Sequence, residues 1–542
     1  MSSVRPSAMV APHYSSPSTG HVASLFEAIA AVIPQATAVV FGDDVRSWRQ
    51  FDSRASSFAA FLTDIGVEAG DVVAQIMVNR PEYLEVMYGS LKVRAVPANI
   101  NYRYQRAELA HVLSDAGTRV IVVDDEFGEE ARAVAEQLNI EFVVSTSELA
   151  NIVDRYEPAP PIRRCREDIF LSYTGGTTGL PRGVEYRLGD MTRNALVSRH
   201  LVTGDVFASE VNPVDTALRL VNCGQAPVVI PASPLMHSTG LVMTAIPTLA
   251  AGGTVVLLDG PFDAVRLLRE VGRRKVTSIG WVGNAFARPA LSAIEVASST
   301  CAPFDLSTIR SIISAGLAWD AQVKAELLKY LPEDAVLIDS CGASEGGFIG
   351  TRRFARGGEF SSAGFDPAPG LRLLLEDGTD LSPGDLRPGL IAVPTIASGY
   401  RNDPDATKAR FHVFADTQYV VPGDWGRRES DGTLILLGRG SGVINTGGEK
   451  VFAEEVEQVV RAHPGVIDCL VVGTPDLRFG HVVIALLVGE KDVGVGDIAE
   501  FVRSKLARYK APRRVVHVQA IPRSPNGKPD YVAARRLADI VP

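Results

Sequence analysis

The sequence predicts an α/β protein with a large N-terminal domain of layered α/β subdomains and a small C-terminal α/β domain joined to it by a hinge. Three observations carry this. Short apolar, β-branched runs alternate with stretches of helical apolar spacing along almost the whole chain. The 542 residues exceed what one ordinary core accommodates. Gly440-Ser441-Gly442 places two glycines around one small polar residue, a local hinge that absorbs changes in φ and ψ at Ser441. The expected divisions are a flexible Ser/Pro-rich leader over 1–21, the large domain over 22–440 and a mobile domain over 441–542.

Taken in order, His21 to Val32 reads as an entry helix, and Ala38–Phe41 with Val45–Trp48 as a hairpin turning at Gly42-Asp43-Asp44. Arg54 to Ile65 has helical spacing at Phe58, Phe61 and Leu62. Val72 to Met77 is strand-like, Pro81 to Val93 a helix, and Val120 to Val123 a strand. The alternation resumes with strands at Val228–Ile230, Thr254–Leu258 and Ser278–Val282, and a helix near Phe262 to Val271. Arg310 shortens the apolar run Ser311–Ile313. In the small domain, helix Ala453–Ala462 presents Val456, Val459 and Val460 on one face. Strands follow at Val466–Val472, His481–Val488 and Val515–Val518, with a helix through Ile498, Phe501, Val502 and Leu506 between the last two.

Composition narrows the function. The net charge of −9 and the lack of a basic block argue against a nucleic-acid partner. No run of about 18 uncharged apolar residues predicts a membrane span. Five scattered cysteines without a C-x-x-C argue for a reducing cytoplasm and against a zinc site. Arginine outnumbers lysine, so each lysine carries more information.

The most informative stretch is Leu171 to Val184, LSYTGGTTGLPRGV. A strand breaks into Thr174-Gly175-Gly176-Thr177-Thr178-Gly179, where glycines let backbone N–H groups approach an anion and hydroxyls add donors. Arg182 then supplies a forked cation suited to phosphate. This is a polyphosphate cradle but neither a Walker A loop nor G-x-G-x-x-G. Taken alone, it competes with a plain surface turn.

The loop resembles the phosphate loop of the adenylate-forming superfamily of acyl-CoA synthetases, luciferases and nonribosomal peptide adenylation domains. Arg182 stands where that family usually has lysine, and Gly175 where it often has serine. Further stretches resemble its other motifs in the expected order. Pro234 to Gly240 is similar to the segment whose histidine, here His237, walls and gates the acid pocket; alone, His237 would read as a satisfied core histidine. Ser314-Ala315-Gly316-Leu317 resembles the adenine-facing turn. Asp339 to Glu345 resembles Y-G-x-T-E, with Cys341 replacing tyrosine and Ser344 replacing threonine. Glu345 among Gly342, Gly346 and Gly347 is implied as the Mg²⁺ carboxylate, with Ser340, Cys341, Gly342 and Ser344 beside the nucleotide. Asp424 and Arg439 resemble the T-G-D and G-R motifs, Asp424 being implied as the ribose acceptor, with Asp431-Gly432 a hairpin turn between them. Gly447 and Gly448 are implied to face the CoA path. Lys528, in Pro522 to Lys528, is implied as the mobile lysine of adenylation.

The resemblance spans residues 22 to 535. Within the superfamily, Val282 to Pro289 and Arg523 to Lys528 are most similar to actinobacterial CoA ligases for fatty and steroid side-chain acids. Asn284 stands in the acid pocket where that group has an acidic residue. The resemblance implies a two-step ligase using Mg²⁺ and ATP, with CoA as co-substrate, an apolar carboxylic acid as substrate, and Lys528, Glu345, Thr178 and Arg182 as the catalytic set. Two alternatives stay open: transfer of the adenylate to an amine or other nucleophile, including a nitrite-activating variant, and a nucleotide-binding relative without turnover. The oligomeric state is open as well, a homodimer included.

Overall fold

The structure, a computed structural model, describes residues 20–540 apart from 175–179, 205–211, 301, 318, 359–363, 383, 440–441, 447–448, 477–479, 491–492, 507 and 524–528. The chain divides into two compact units, one of residues 1–362 with 394–420 and one of residues 363–393 with 421–542. The position expected as the hinge falls in the sequence of the second unit, with Gly440 and Ser441 outside the described residues, as is most of the leader.

In the first unit, seven strands form a sheet in the order Ala397–Tyr400, Arg182–Arg187, Ile169–Thr174, Val96–Asn99, Val72–Ile76, Thr118–Val123, Phe142–Ser145. The five strands from Ile169–Thr174 outward are parallel, and Arg182–Arg187 turns back antiparallel to its predecessor. A second run of strands in this unit is ordered Phe348–Phe354, Val336–Gly342, Ser311–Ala315, Ser278–Trp281, Val228–Pro231, Thr254–Leu257, Thr37–Phe41, Asp44–Ser47. Helices cover parallel strands on both faces, so Val72–Ile76, Ser278–Trp281 and Ser311–Ala315 are buried at every position. That is why these strands read as continuous apolar or small-residue runs instead of alternating ones.

Local chemistry explains several element ends. His21 caps the helix Val22–Val32 by accepting from the Ala23 N–H. Ser47 and Gln50 form a capping box, so the helix expected from Arg54 begins at Trp48 and runs to Asp64. The strand after Arg310 extends over Ser311–Ala315, longer than its apolar run, because Ser311 and Ser314 are satisfied inside: the Ser311 and Ser278 hydroxyls lie 2.7 Å apart and the Ser314 hydroxyl accepts from the Gly283 N–H at 2.9 Å.

In the second unit, Gly389–Pro394, Asp424–Arg428, Leu434–Arg439 and Gly364–Pro367 are neighbouring strands in that order. A five-stranded sheet holds Glu449–Phe452, Val443–Thr446, Gly480–Gly489 and Val466–Asp476, with Arg514–His517 parallel to Gly480–Gly489. The helix Ala453–Arg461 buries Val456 and Val460 against one face of this sheet, and Tyr531–Ile540 packs Ala534 and Ala538 against the other. Glu455 of that helix is buried between Arg427 and Lys510.

Candidate active site

The strands Ile169–Thr174 and Arg182–Arg187 carry the glycine-hydroxyl loop between them and bring Thr174 directly opposite Arg182. Gly175, Gly176, Thr177, Thr178 and Gly179 lie outside the described residues. Their frame is described, and it is anchored to the helix Arg106–Ala116. The Tyr173 hydroxyl donates to Asp115 at 2.6 Å, and the His111 ring lies 3.0 Å from the Pro181 carbonyl. Arg182 is half exposed; its Nε donates to Asp403 at 3.0 Å, and its guanidinium carbon sits 5.6 Å from the centre of the Tyr400 ring.

Glu345 follows the strand Val336–Gly342 in a tight turn. The Tyr400 hydroxyl donates to Glu345 Oε1 at 2.7 Å, and the Thr395 hydroxyl donates to the Glu345 carbonyl at 2.5 Å. Tyr186 donates to the neighbouring Ser344 carbonyl. Burial, reinforced by the Glu345 charge, raises both the Tyr400 and Tyr186 phenols above their usual range, so both remain donors at any physiological pH. Gly346 has φ +74°, and a Cβ there would stand 2.9 Å from the Tyr186 ring and 3.0 Å from Ile396. The sequence suggested that glycines around Glu345 admit a ligand; at Gly346 the close neighbour is protein.

Ala315 and Ser340 are register partners on adjacent parallel strands. The Ser340 hydroxyl is buried and has no hydrogen-bond partner among the described residues. Gly316, at φ +91°, continues the turn. Beneath them Lys324 and Asp339 form a buried ion pair at 2.5 Å, where burial lowers the ammonium pKa and raises that of the carboxyl. Cys341 and Gly342 flank a bulge against the strand Phe348–Phe354.

The His237 segment is held from a distance in sequence. Asn79 donates to the Pro231 and Ser233 carbonyls at 3.2 and 3.1 Å and accepts from the Leu235 N–H at 2.7 Å. His237 is exposed at the start of the short helix Ser238–Gly240. Gly240 has no room for a side chain, since a Cβ would lie 2.5 Å from the Pro234 carbonyl. Asn284 opens the helix Gly283–Ser299 and accepts from the Asp320 N–H at 3.1 Å, so its amide has a local structural partner.

In the second unit, Asp424 and Arg439 are register partners across the antiparallel strands that Asp431-Gly432 connects. Ser441, Gly447, Gly448 and Lys528 lie outside the described residues. Sequence reading missed Tyr400, Thr395, Asp403, Tyr186 and Asn79. For Tyr400 and Asp403 a signal existed: Gly399-Tyr400-Arg401-Asn402-Asp403-Pro404 is a turn-rich run with an Asp-Pro helix start, and Asp403 caps the helix Pro404–Arg410.

Comparison with known proteins identifies the family and the fold. The family described as AMP-binding enzyme matches residues 26–401, and the AMP-binding enzyme C-terminal domain matches residues 455–528. The chain belongs to this family of adenylate-forming enzymes. It is similar to the 3-oxocholest-4-en-26-oate–CoA ligase of Rhodococcus rhodochrous, at 34% identity over 546 residues covering 96% of each chain. It is similar too to the medium-chain acyl-CoA ligase Mig of Mycobacterium avium, at 32% identity covering 95% of this chain and 98% of the relative. Among solved structures, an anthranilate CoA ligase in complex with anthranoyl-AMP matches with a TM-score of 0.80 over 99% of both chains at 21% identity, a likeness of fold. ATP-bound MatB from Rhodopseudomonas palustris matches with a TM-score of 0.76 over 95% of this chain and 99% of that one, at 24% identity. No helix among the described residues is long and apolar enough to cross a membrane.

Proposed function

We infer that the chain is an AMP-forming acid–CoA ligase acting on an apolar carboxylic acid of the fatty or steroid side-chain class. The observation that carries this is full-length similarity to ligases named for CoA thioester formation on such acids, together with the motif series in order. In the first half-reaction the carboxylate oxygen bonds to the α-phosphorus of ATP and pyrophosphate leaves. In the second, the CoA sulfur bonds to the acyl carbon, AMP leaves and the thiol proton passes to solvent.

The residues take the following roles. Thr174 to Gly179 donate backbone N–H and hydroxyl groups to the phosphates, with Thr178 and Arg182 stabilising the departing pyrophosphate. Ala315, Gly316, Ser340, Cys341 and Gly342 line the adenine side, Ser344 donates near the phosphates, and Asp424 with Arg439 holds the ribose. His237 and Asn284 border the acid. Lys528 supplies a long-stemmed positive charge during adenylation, and rotation about Ser441 exchanges it for the Gly447-Gly448 face that admits the thiol.

Mg²⁺ fits the donors present. Glu345 offers a hard carboxylate whose Oε2 has no partner among the described residues, and this ion typically takes one or two carboxylates together with substrate phosphates. When bound, it would neutralise phosphate charge. A cytoplasmic location suits an enzyme of ATP and CoA whose Cys165, Cys223, Cys341 and Cys469 form no disulfide among the described residues.

The test is AMP and product formation over a panel of fatty, steroid and aromatic acids, with and without CoA. CoA-dependent thioesters of apolar acids are expected. An adenylate that persists with CoA present but is consumed by amines would replace this reading with amide ligation.

A further inference from the structure

We propose that Tyr400 is the positioning residue that sets the geometry between Glu345 and Arg182, and so tunes how the site takes a metal–nucleotide complex as opposed to free ATP. The inference rests on the reading of Glu345 as the metal carboxylate and of Arg182 as a phosphate contact.

Tyr400 ends the strand Ala397–Tyr400, in register with Val184 two residues beyond Arg182. Its backbone N–H donates to the Thr407 hydroxyl at 2.9 Å, and its ring packs edge-on against Phe411 at 5.4 Å between centroids. The residue is only 7% exposed, so the ring has little freedom. From this fixed base the hydroxyl holds Glu345 Oε1 while the ring face carries the Arg182 guanidinium. Thr395 fixes the Glu345 backbone separately, and the Ala397 N–H in turn holds the Thr395 hydroxyl at 3.0 Å.

One side chain therefore touches both the carboxylate and the cation, which carry opposite charges and serve opposite ends of a metal–phosphate pair. With Oε1 accepting from the Tyr400 hydroxyl, the carboxylate is oriented with Oε2 left for an incoming ion. Without the hydroxyl, Glu345 loses the contact that orients it and can turn Oε2 away from an incoming ion, while the ring still carries Arg182.

The experiment is equilibrium binding of ATP to the full-length protein, with acid and CoA absent, measured with Mg²⁺ and with a chelator. Wild type, Tyr400→Phe, Glu345→Gln and the double variant are compared. Tyr400→Phe keeps the ring under Arg182 and removes only the hydroxyl. We expect Mg²⁺ to tighten ATP binding in the wild type, and Tyr400→Phe to weaken the Mg²⁺-dependent part about tenfold, the loss typical of a hydrogen bond to a charged group. Metal-free ATP binding should stay within about twofold, and the double variant should be no worse than Glu345→Gln, because the two residues act as one unit. If Tyr400→Phe weakens metal-free and metal-bound ATP equally, Tyr400 is merely structural and the proposal is overturned. If Glu345→Gln abolishes the Mg²⁺ effect and Tyr400→Phe leaves it intact, the proposal alone is overturned. An unchanged Mg²⁺ effect in Glu345→Gln overturns the metal reading of Glu345 together with the proposal.

Discussion

Arg182 Nε donates to Asp403 Oδ2 at 3.0 Å, joining residues 221 positions apart, while Asp403 Oδ1 accepts from the Ala406 N–H and caps the helix Pro404–Arg410. Both partners are partly exposed, so the pair contributes little to stability. Its consequence is orientation: the phosphate-loop cation is aimed by a helix cap far along the chain.

Arg182→Ala is therefore expected to raise the KM for ATP by roughly 10- to 100-fold, the range for losing a charged hydrogen bond. An arginine-rich composition by itself would make lysine an equivalent charge. The Nε contact and the Tyr400 stack predict instead that Arg182→Lys falls between wild type and alanine. Initial-rate kinetics with ATP varied decide this, and ATP kinetics unchanged in Arg182→Ala would remove it from the site.

Gly346→Ala places a methyl in contact with Tyr186, Ile396 and the Ala397 N–H, at φ +74°. The strain, about 1–3 kcal/mol, falls on the turn that carries Glu345. Adenylation should slow while the protein stays folded. Wild-type pyrophosphate–ATP exchange in this variant would mean that Tyr186 and Ile396 yield without displacing Glu345.

Asn79→Ala removes three hydrogen bonds from the segment leading to His237. If that segment walls the acid pocket, the KM for the acid should rise about tenfold with the KM for ATP nearly constant. A rise confined to ATP would assign the segment elsewhere.

His21 is buried, which depresses its pKa from 6.5 to about 4, with the nearby Arg164 adding to the effect. Its Nδ1 accepts the Ala23 N–H, and its Nε2 lies 3.6 Å from Asp168, too far for a hydrogen bond. Between these pH values the unfolded chain takes up a proton that the folded chain refuses. Stability should then rise with pH across that window and be lost as pH falls from about 6.5 to about 4, by at most about 3 kcal/mol. His21→Asn keeps a capping acceptor without titrating, so its denaturant midpoint should fall less steeply with acid than that of the wild type. Parallel curves would assign the acid sensitivity to other groups.

Lys528→Ala should lose roughly 10²-fold or more in adenylation, as for removal of one positioned donor, yet still convert supplied acyl-adenylate to acyl-CoA. Gly447→Leu should do the reverse. Each variant is assayed in each half-reaction; equal losses in both halves for Lys528→Ala would rule out the alternating arrangement.

The sequence by itself determined the α/β class, a part of the strands and helices, and the order of the motifs. Parallel strands covered on both faces must be apolar or small throughout, and loops that hold phosphate need glycine and hydroxyls; both demands are local and leave a written pattern. Helix ends were less legible where capping decided them, as at Trp48, which the Ser47–Gln50 box draws into a helix that apolar spacing alone begins later. What only the tertiary structure decided is which residues hold the site in place. Tyr400, Thr395 and Asp403 lie 50 or more residues from the groups they orient, and Asn79 lies 152 or more from the carbonyls it binds. A phenol on a carboxylate or an amide on a loop carbonyl has no period and no spacing along the chain. Such pairs exist only because strand pairing and packing bring them within 3 Å or so, where a hydrogen bond forms.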